Sequence, residues 1–376
     1  MKGFIEEYGL IILIVVVILV MLTCSKIGFA GPLGDNINAI IDDLFKTGNS
    51  YVKDAKQTEK AYRTVLYDDG TFIMNELKSQ SKQNEKEHGS VIATYKTLEE
   101  DKYHYDYPYD DDMDVPWYEE MNLIKRVEIG SKMQPTNTSY WFSDARHMEY
   151  GDFTNLDTSN VEDMSYMFNY AGCYSSQFTL DLTGWDTSNV EDMSYMFKRS
   201  GSTAFLEESL SPLSTELYEY HLNGLSTWDT SNVKNMSYMF EQAGHSTDKF
   251  SLDISNWNTS NVTNMRGMFW EAGWFATLWS VDLSAWNVSN VTNMSDMFNH
   301  AGYAATLWSV GDLSAWNVSN VTNMDSMFSR AGYHTKNWSV GNLTKWDVSN
   351  VSKSPYSSDY PFNGHTSYPY QPVWNW

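Results

Sequence analysis

One short phrase, Ser-Asn-Val, occurs seven times in this chain and usually continues to Met-x-x-Met-Phe. Its asparagines are Asn160, Asn189, Asn232, Asn261, Asn290, Asn320 and Asn350, separated by 29, 43, 29, 29, 30 and 30 residues. A fixed period near 30 residues is typical of a small structural unit that stacks on copies of itself. The longer step indicates an insertion, over residues 202–224, between the second and third units.

The fifth unit shows what one repeat contains. Leu283, Trp286 and Val288 are spaced like a short strand, and the apolar residues from Val291 to Phe298 like one face of a helical turn. Burying them gains ~1.5–3 kcal/mol each, whereas ordering the backbone costs ~1–2 kcal/mol per residue, so a single unit needs its neighbours. The pattern predicts a repeat solenoid of the leucine-rich-repeat type, with one short parallel strand and one short helical turn in each coil of about 29 residues.

The other recurring residues are interpreted as structural. The Asn of each phrase suits a tight corner, where its side chain hydrogen-bonds nearby backbone groups. The paired Met residues beside Phe suit a hydrophobic core better than a soft-metal site. A recurring glycine is expected to end each helical turn. These glycines are Gly172, Gly201, Gly244, Gly273, Gly302 and Gly332.

The units carry a family resemblance. The segments WDTSNVEDMSYMF (185–197), WNTSNVTNMRGMF (257–269) and WNVSNVTNMSDMF (286–298) closely resemble the repeats of BspA-like leucine-rich-repeat surface proteins, which have the mycoplasma-lipoprotein-type repeat. The resemblance covers about residues 140–351. It implies a bacterial protein that is secreted or lies on the cell surface, is often adhesive and has no enzymatic activity. It implies no particular binding residues.

Charge and composition limit the functions to consider. The formal net charge is −23, which argues against nucleic acid as a partner and against an anionic membrane surface as a ligand of the repeats. The eight His residues are scattered, and no nucleophile elbow or phosphate loop occurs. Cys24 and Cys173 form no disulfide framework. We therefore expect a protein that is not an enzyme and has neither a cofactor nor a metal site.

The N-terminal segment is expected to be a membrane anchor. Residues 8–25 contain no charged side chain and are just long enough to cross a bilayer as one helix. This predicts a single-pass cell-membrane protein with an extracellular repeat domain. Four outcomes stay open: an uncleaved anchor, cleavage after Ala30, lipidation at Cys24, and cleavage after Gly3.

Cleavage after Gly3 corresponds to a second resemblance. GFIEEYGLIILIVVVILV (3–20) resembles the N-terminus of Flp-type prepilins, although the Gly3-to-Glu7 spacing is one residue short. The alternative function is then a pilus subunit that assembles through residues 1–45 and carries the repeats as a decoration. The mature N-terminus would distinguish these outcomes.

The sequence predicts five regions. They are the anchor (1–30), an amphipathic helix and stalk (31–62), a β-rich capping module (63–142), the seven repeat units (143–351) and an aromatic C-terminal cap (352–376). Asp69-Gly70 is expected to form a hairpin turn in the β-rich module, and the insertion is expected to contain a short helix that begins near Ser211.

A binding face is expected along the predicted strands. Because Leu and Trp point inward, the residues between them should point outward. The candidate ligand residues are Asp186, Asp229, Asn258, Asn287, Asn317 and Asp347, with Ser255, Ser284 and Ser314. Such a strip suits an extended extracellular protein segment or a glycan. The leading hypothesis is a surface-displayed, membrane-anchored binding or adhesion protein, and a carbohydrate-binding module, which needs exposed aromatic rings, is a further alternative.

Overall fold

The structure, a computed structural model, describes residues 61–75, 77, 80–98, 115–202, 218–352 and 360–374. The strands are β1 (Ala61–Tyr67), β2 (Thr71–Met74), β3 (Val91–Leu98), β4 (Arg126–Ile129), β5 (Tyr150–Asp152), β6 (Gln177–Asp181), β7 (Glu219–Asn223), β8 (Lys249–Leu252), β9 (Leu278–Val281) and β10 (Leu307–Ser309). One α-helix, α1 (Ser81–His88), and two 3₁₀ turns (Tyr118–Leu123 and Leu225–Thr227) complete the described elements.

The strands form two sheets. The larger has the order β3-β1-β2-β4-β5-β6-β7 and the smaller the order β10-β9-β8. In the larger sheet β1 pairs antiparallel with β2 and β3, and every other pairing is parallel. The smaller sheet is parallel throughout. From β4 onwards, therefore, consecutive units add consecutive parallel strands.

The hairpin predicted at Asp69-Gly70 is confirmed. Strands β1 and β2 pair directly across it. Gly70 has a φ of +88°, which a residue without Cβ adopts readily, and its amide donates to the Tyr67 carbonyl at 3.0 Å. The Asp69 carboxylate accepts the Thr71 amide at 2.8 Å and so fixes the second side of the turn.

Stacked aromatic rings run through the core. One phenylalanine of each unit lies on the next, with ring centroids 5.2–5.7 Å apart. This column contains Phe142, Phe168, Phe197, Phe240, Phe269, Phe298, Phe328 and Phe362. The paired Met residues beside it, from Met164 to Met327, are at most 1% exposed, as expected for core residues. The repeated apolar positions therefore pack like on like, as the sequence pattern predicts.

The helical turn predicted in each unit is absent. In the fifth unit the segment after Met294 is a series of turns, in which Asp296, His300 and Gly302 have φ values of +58°, +56° and +54°. The equivalent residues of the other units also have positive φ. A right-handed helix cannot contain such residues, because its φ lies near −63°. The recurring glycines therefore occupy left-handed positions, but there is no helix for them to end.

The predicted strand position is also wrong. The segment from Leu283 to Val288 is one turn flanked by irregular chain, although Leu283 and Trp286 do point into the core. The strand of this unit, β9, lies just before it, where Trp279 and Val281 are buried. Leucine and tryptophan mark buried positions in a turn as readily as in a strand, so their spacing did not locate the strand.

The prediction of a leucine-rich-repeat-like solenoid with a transmembrane helix is consequently wrong. The described residues form a mostly β fold of mixed and parallel sheets, with one α-helix and no helical turn after the Ser-Asn-Val phrase of any unit. Among these residues, no helix is both long and apolar enough to span a membrane. This contradicts the predicted single-pass localisation. The expected anchor, residues 1–30, lies outside the described residues, as does the helix expected near Ser211.

The C-terminal segment packs on the last unit in place of a further repeat. The Phe328 amide donates to the Pro361 carbonyl at 2.7 Å, as the Phe298 amide donates to the Met327 carbonyl at 2.8 Å. Phe362 is 1% exposed. The open end of the phenylalanine column is thereby covered.

Candidate ligand surface

The six predicted Asp and Asn candidates form one exposed column. Each lies in an irregular segment outside the strands. In each, Oδ1 accepts the backbone N–H of the serine two residues on, at 3.0–3.2 Å. We call these residues, Asp186, Asp229, Asn258, Asn287, Asn317 and Asp347, the first Asx column. The turn bond fixes the orientation of each side chain, which remains exposed to solvent.

Buried threonines hold neighbouring members of this column one unit apart. The Oγ1 of Thr187 donates to the Asp229 carbonyl at 2.9 Å, and that of Thr230 to the Asn258 carbonyl at 3.1 Å. Both threonines are at most 1% exposed. The last units have the buried Val288, Val318 and Val348 in this position, so they lack this particular hydrogen bond.

The three predicted serines are half-buried and belong to a second set of turns. The backbone amides of Ser284 and Ser314 donate to Oδ1 of Asp282 and Asp312 at 3.0 and 2.9 Å. Ser255 donates its Oγ to Asp253 at 3.3 Å. The acceptors Asp253, Asp282 and Asp312 are exposed and form a second Asx column. Sequence reasoning missed them, although each stands five residues before a member of the first column.

Three carboxylates of the two columns, those of Asp229, Asp347 and Asp312, have a lowered pKa. Hydrogen bonds from Ser231 and Ser349 lower the pKa of Asp229 and Asp347, and the backbone N–H and side chain of Ser314 lower the pKa of Asp312. These bonds stabilise the charged form of the acid. The surface therefore offers fixed carboxylate and amide groups, which suit hydrogen bonding to an extended ligand.

The asparagines of the Ser-Asn-Val phrase have a structural role, as expected. The Asn290 side-chain amide donates to the Ser260 carbonyl of the preceding unit at 2.7 Å. The same bond recurs at Asn189, Asn232, Asn261, Asn320 and Asn350, at 2.6–2.7 Å. Because each amide is used between units, these residues fasten the stack, and we do not include them in the ligand surface.

The repeat tryptophans are not available to a ligand. Trp185, Trp228, Trp257, Trp286, Trp316 and Trp346 are only 3–5% exposed. Most donate their indole N–H to a carbonyl of the preceding unit, as Trp286 does to Ile254 at 3.0 Å. Sugars bind to exposed ring faces, so these residues give the carbohydrate-binding alternative no support.

Reactive groups are few among the described residues. Cys173 is buried, and burial raises the pKa of its thiol to about 12. Within the described ranges no group of three or more His, Cys, Asp or Glu side chains is arranged to hold a metal ion. Of the insertion's carboxylates, Glu207, Glu208 and Glu216 lie outside the described residues, and Glu219 is exposed at the start of β7.

Comparison with known proteins gives one family. The family model described as "Mycoplasma protein of unknown function, DUF285" matches residues 136–245, 215–307 and 245–368. Together these ranges cover well over half of the 376 residues. No curated protein and no solved structure matches the chain. The match agrees with the mycoplasma-type repeat seen in the sequence, whereas the prepilin resemblance is not supported.

Proposed function

The chain belongs to the DUF285 family of mycoplasma proteins of unknown function, and we propose that it is a binding protein whose first Asx column recognises an extended polar ligand. The ligand is a polypeptide segment or a glycan chain that runs along the repeats. The protein acts by binding and is not an enzyme.

One observation carries this proposal. The first Asx column places an exposed Asp or Asn side chain, fixed by the same turn bond, in six consecutive units. Strands of neighbouring units lie ~4.8 Å apart, so six units give a row roughly 25 Å long. A ligand that meets several such groups at once does not have to order them on binding, because the turn bonds already fix their side chains.

The structure shows how to change this surface without changing the fold. Aspartate makes the same turn bond as asparagine, since Asp186, Asp229 and Asp347 accept their serine amides as the asparagines do. We therefore test Asn258→Asp, Asn287→Asp and Asn317→Asp together. The triple variant loses three amide donors and gains three negative charges, and its turns are kept.

The test compares the full chain with this variant on arrays of extended peptides and linear glycans. We expect any ligand bound by the wild type to bind the triple variant at least tenfold more weakly. A control variant, Ser251→Asp with Ser280→Asp and Ser309→Asp, adds the same charge to the outer side of β8, β9 and β10. Affinity should change less than threefold in that control. Equal affinity of the wild type and the triple Asn→Asp variant would disprove the proposed surface.

A further inference from the structure

A second surface, distinct from the Asx columns, is apolar and exposed. It lies where the chain enters β9 and β10 and includes Trp274, Phe275, Leu278, Tyr303, Leu307 and Tyr333, here called the aromatic patch. Leu307 is 64% exposed and Tyr333 46% exposed, and the other four are half-buried. A contiguous exposed apolar surface commonly marks an interaction site.

The patch is built by stacking equivalent residues of successive units. The rings of Trp274 and Tyr303 have centroids 4.8 Å apart, and those of Tyr303 and Tyr333 are 5.3 Å apart and parallel within 1°. Leu278 and Leu307 are directly opposite each other in the parallel pair β9–β10. The surface is therefore rigid before any partner binds.

The earlier units show that this surface is specific to the fifth and sixth units. In β8, the residue equivalent to Leu278 and Leu307 is Lys249, and Lys249 pairs directly with Leu278. The first residues of β6 and β7 are Gln177 and Glu219, which also pair with each other. All three polar residues are exposed. The fold therefore does not need leucine here, and burial within the chain does not explain the exposed side chain of Leu307.

The charges around the patch are unlike those of the whole chain, whose net charge is −23. Three exposed cations lie at its border. Lys249 pairs with Leu278 between β8 and β9. Arg330 acts electrostatically on His300, whose ring stacks on Trp274. Lys336 follows Thr335, whose hydroxyl donates to the Ala305 carbonyl at 2.8 Å. None of the three cations makes an ion pair with another described residue. Two carboxylates at this border accept hydrogen bonds from neutral groups, and the three cations outnumber them. Asp248 accepts the Thr277 hydroxyl at 2.8 Å, and Glu271 accepts the Gln242 amide at 2.7 Å.

We propose that the aromatic patch docks an acidic polypeptide segment that carries aromatic or aliphatic side chains. Tryptophan, tyrosine and arginine are the residues that contribute most to protein–protein binding. The apolar side chains of the partner would cover Leu307 and the stacked rings, and its carboxylates would pair with Lys249, Arg330 and Lys336. This inference is independent of the ligand proposed for the first Asx column.

A sugar fits this surface less well. Trp274 and Tyr303 face each other in the stack, so each covers a ring face that a sugar would need. The most exposed side chain, Leu307, has no ring and no polar group. A complementary peptide satisfies both the apolar and the cationic parts of the surface.

The experiment uses two fluorescent twelve-residue peptides and the full chain at 0.15 M salt. One peptide repeats Asp-Tyr-Asp-Leu and the other Lys-Tyr-Lys-Leu, so they share their apolar residues and carry opposite charge. Fluorescence anisotropy should show binding of the acidic peptide and at least tenfold weaker binding of the basic one. Leu307→Glu should lower the affinity for the acidic peptide at least tenfold, and Lys336→Glu should lower it at least threefold.

Matched variants separate docking from folding. Leu307→Glu should fold, because Glu219 begins the equivalent strand β7, and its melting temperature should stay within a few degrees of the wild type. Gln177→Glu places the same charge at the first position of β6, away from the patch, and should leave peptide affinity within twofold. Equal binding of both peptides, no effect of Leu307→Glu and Lys336→Glu, or a dimer of the wild type that Leu307→Glu dissociates would each overturn the proposal.

Discussion

Two asparagines of one unit have different tasks, although they stand three residues apart. Asn287 uses its side-chain oxygen as an acceptor within its own turn, at 3.1 Å from the Ser289 nitrogen. Asn290 uses its side-chain nitrogen as a donor to the preceding unit, at 2.7 Å from the Ser260 oxygen. The sequence predicted a structural role for Asn290 correctly. It did not predict the turn bond of Asn287. An Asn side chain can donate or accept a hydrogen bond, and the surrounding backbone determines which of the two it does.

The difference gives a matched pair of variants. Asn287→Asp keeps an acceptor and should change the free energy of unfolding by less than about 0.5 kcal/mol. Asn290→Asp replaces a donor with a carboxylate that faces a carbonyl oxygen, and should cost about 1–3 kcal/mol. Urea unfolding at pH 7 measures both. Equal stability of the two variants would show that the bond between units contributes nothing.

Histidines near the aromatic patch make stability depend on pH. Burial, helped by the positive charge of Arg199, lowers the pKa of His245 to about 4, and burial with Arg330 lowers that of His300 to about 4. Burial also lowers the pKa of His365. The unfolded chain binds protons at these groups near pH 6.5, so the folded state loses stability as the pH falls from about 6.5 to 4. The acids with lowered pKa, such as Asp229 and Asp347, contribute only at lower pH, below about 4.

We therefore expect the free energy of unfolding to fall by about 1–3 kcal/mol between pH 7.5 and 5, after allowance for the partial exposure of these rings. Urea titrations at the two pH values measure it. The free energy of unfolding of the double variant His245→Gln with His300→Gln should fall much less over this pH range. His147 is exposed, and His147→Gln should show the same pH dependence as the wild type. An unchanged pH dependence in the double variant would contradict the assignment.

At the scale of elements, the sequence located the buried residues and misassigned the backbone. The spacing from Val291 to Phe298 suits one face of a helix, and these side chains are indeed buried. However, Asp296 and His300 have left-handed backbone angles, which no side-chain spacing reveals. The glycines were the available signal, because a glycine in every unit favours a turn over a helix.

A pair of glycines tests this turn geometry. Gly302 has a φ of +54°, and a Cβ placed on it would lie 2.7 Å from Cβ of the buried Trp279. Gly184 has a φ of +86° but open space around it. Gly184→Ala should cost about 1 kcal/mol from backbone strain alone. Gly302→Ala should lower the free energy of unfolding by about 2 kcal/mol more than that, because the added Cβ overpacks the core. Thermal unfolding compares them, and equal losses would mean that Trp279 does not pack as described.

For the whole molecule, the repeat period predicted stacking but not the architecture. Like residues do lie on like, and the parallel pairing from β4 to β7 and from β8 to β10 follows from that. The period could not show that a hairpin pairs β1 with β2, that the units contain turns in place of helices, or that the exposed Asp and Asn column is fixed by its own serines. These features depend on backbone conformation, which the length of a repeat does not determine.

We propose that the repeats bind their ligand through the first Asx column. Hydrogen exchange of the full chain, with and without a ligand identified on the arrays, tests it most directly. We predict that bound ligand slows exchange at the turns that contain Asn258, Asn287 and Asn317, by at least tenfold at saturation, and leaves Leu278 and Leu307 unchanged. Protection that is confined to other parts of the chain, with these three turns unaffected, would contradict the account.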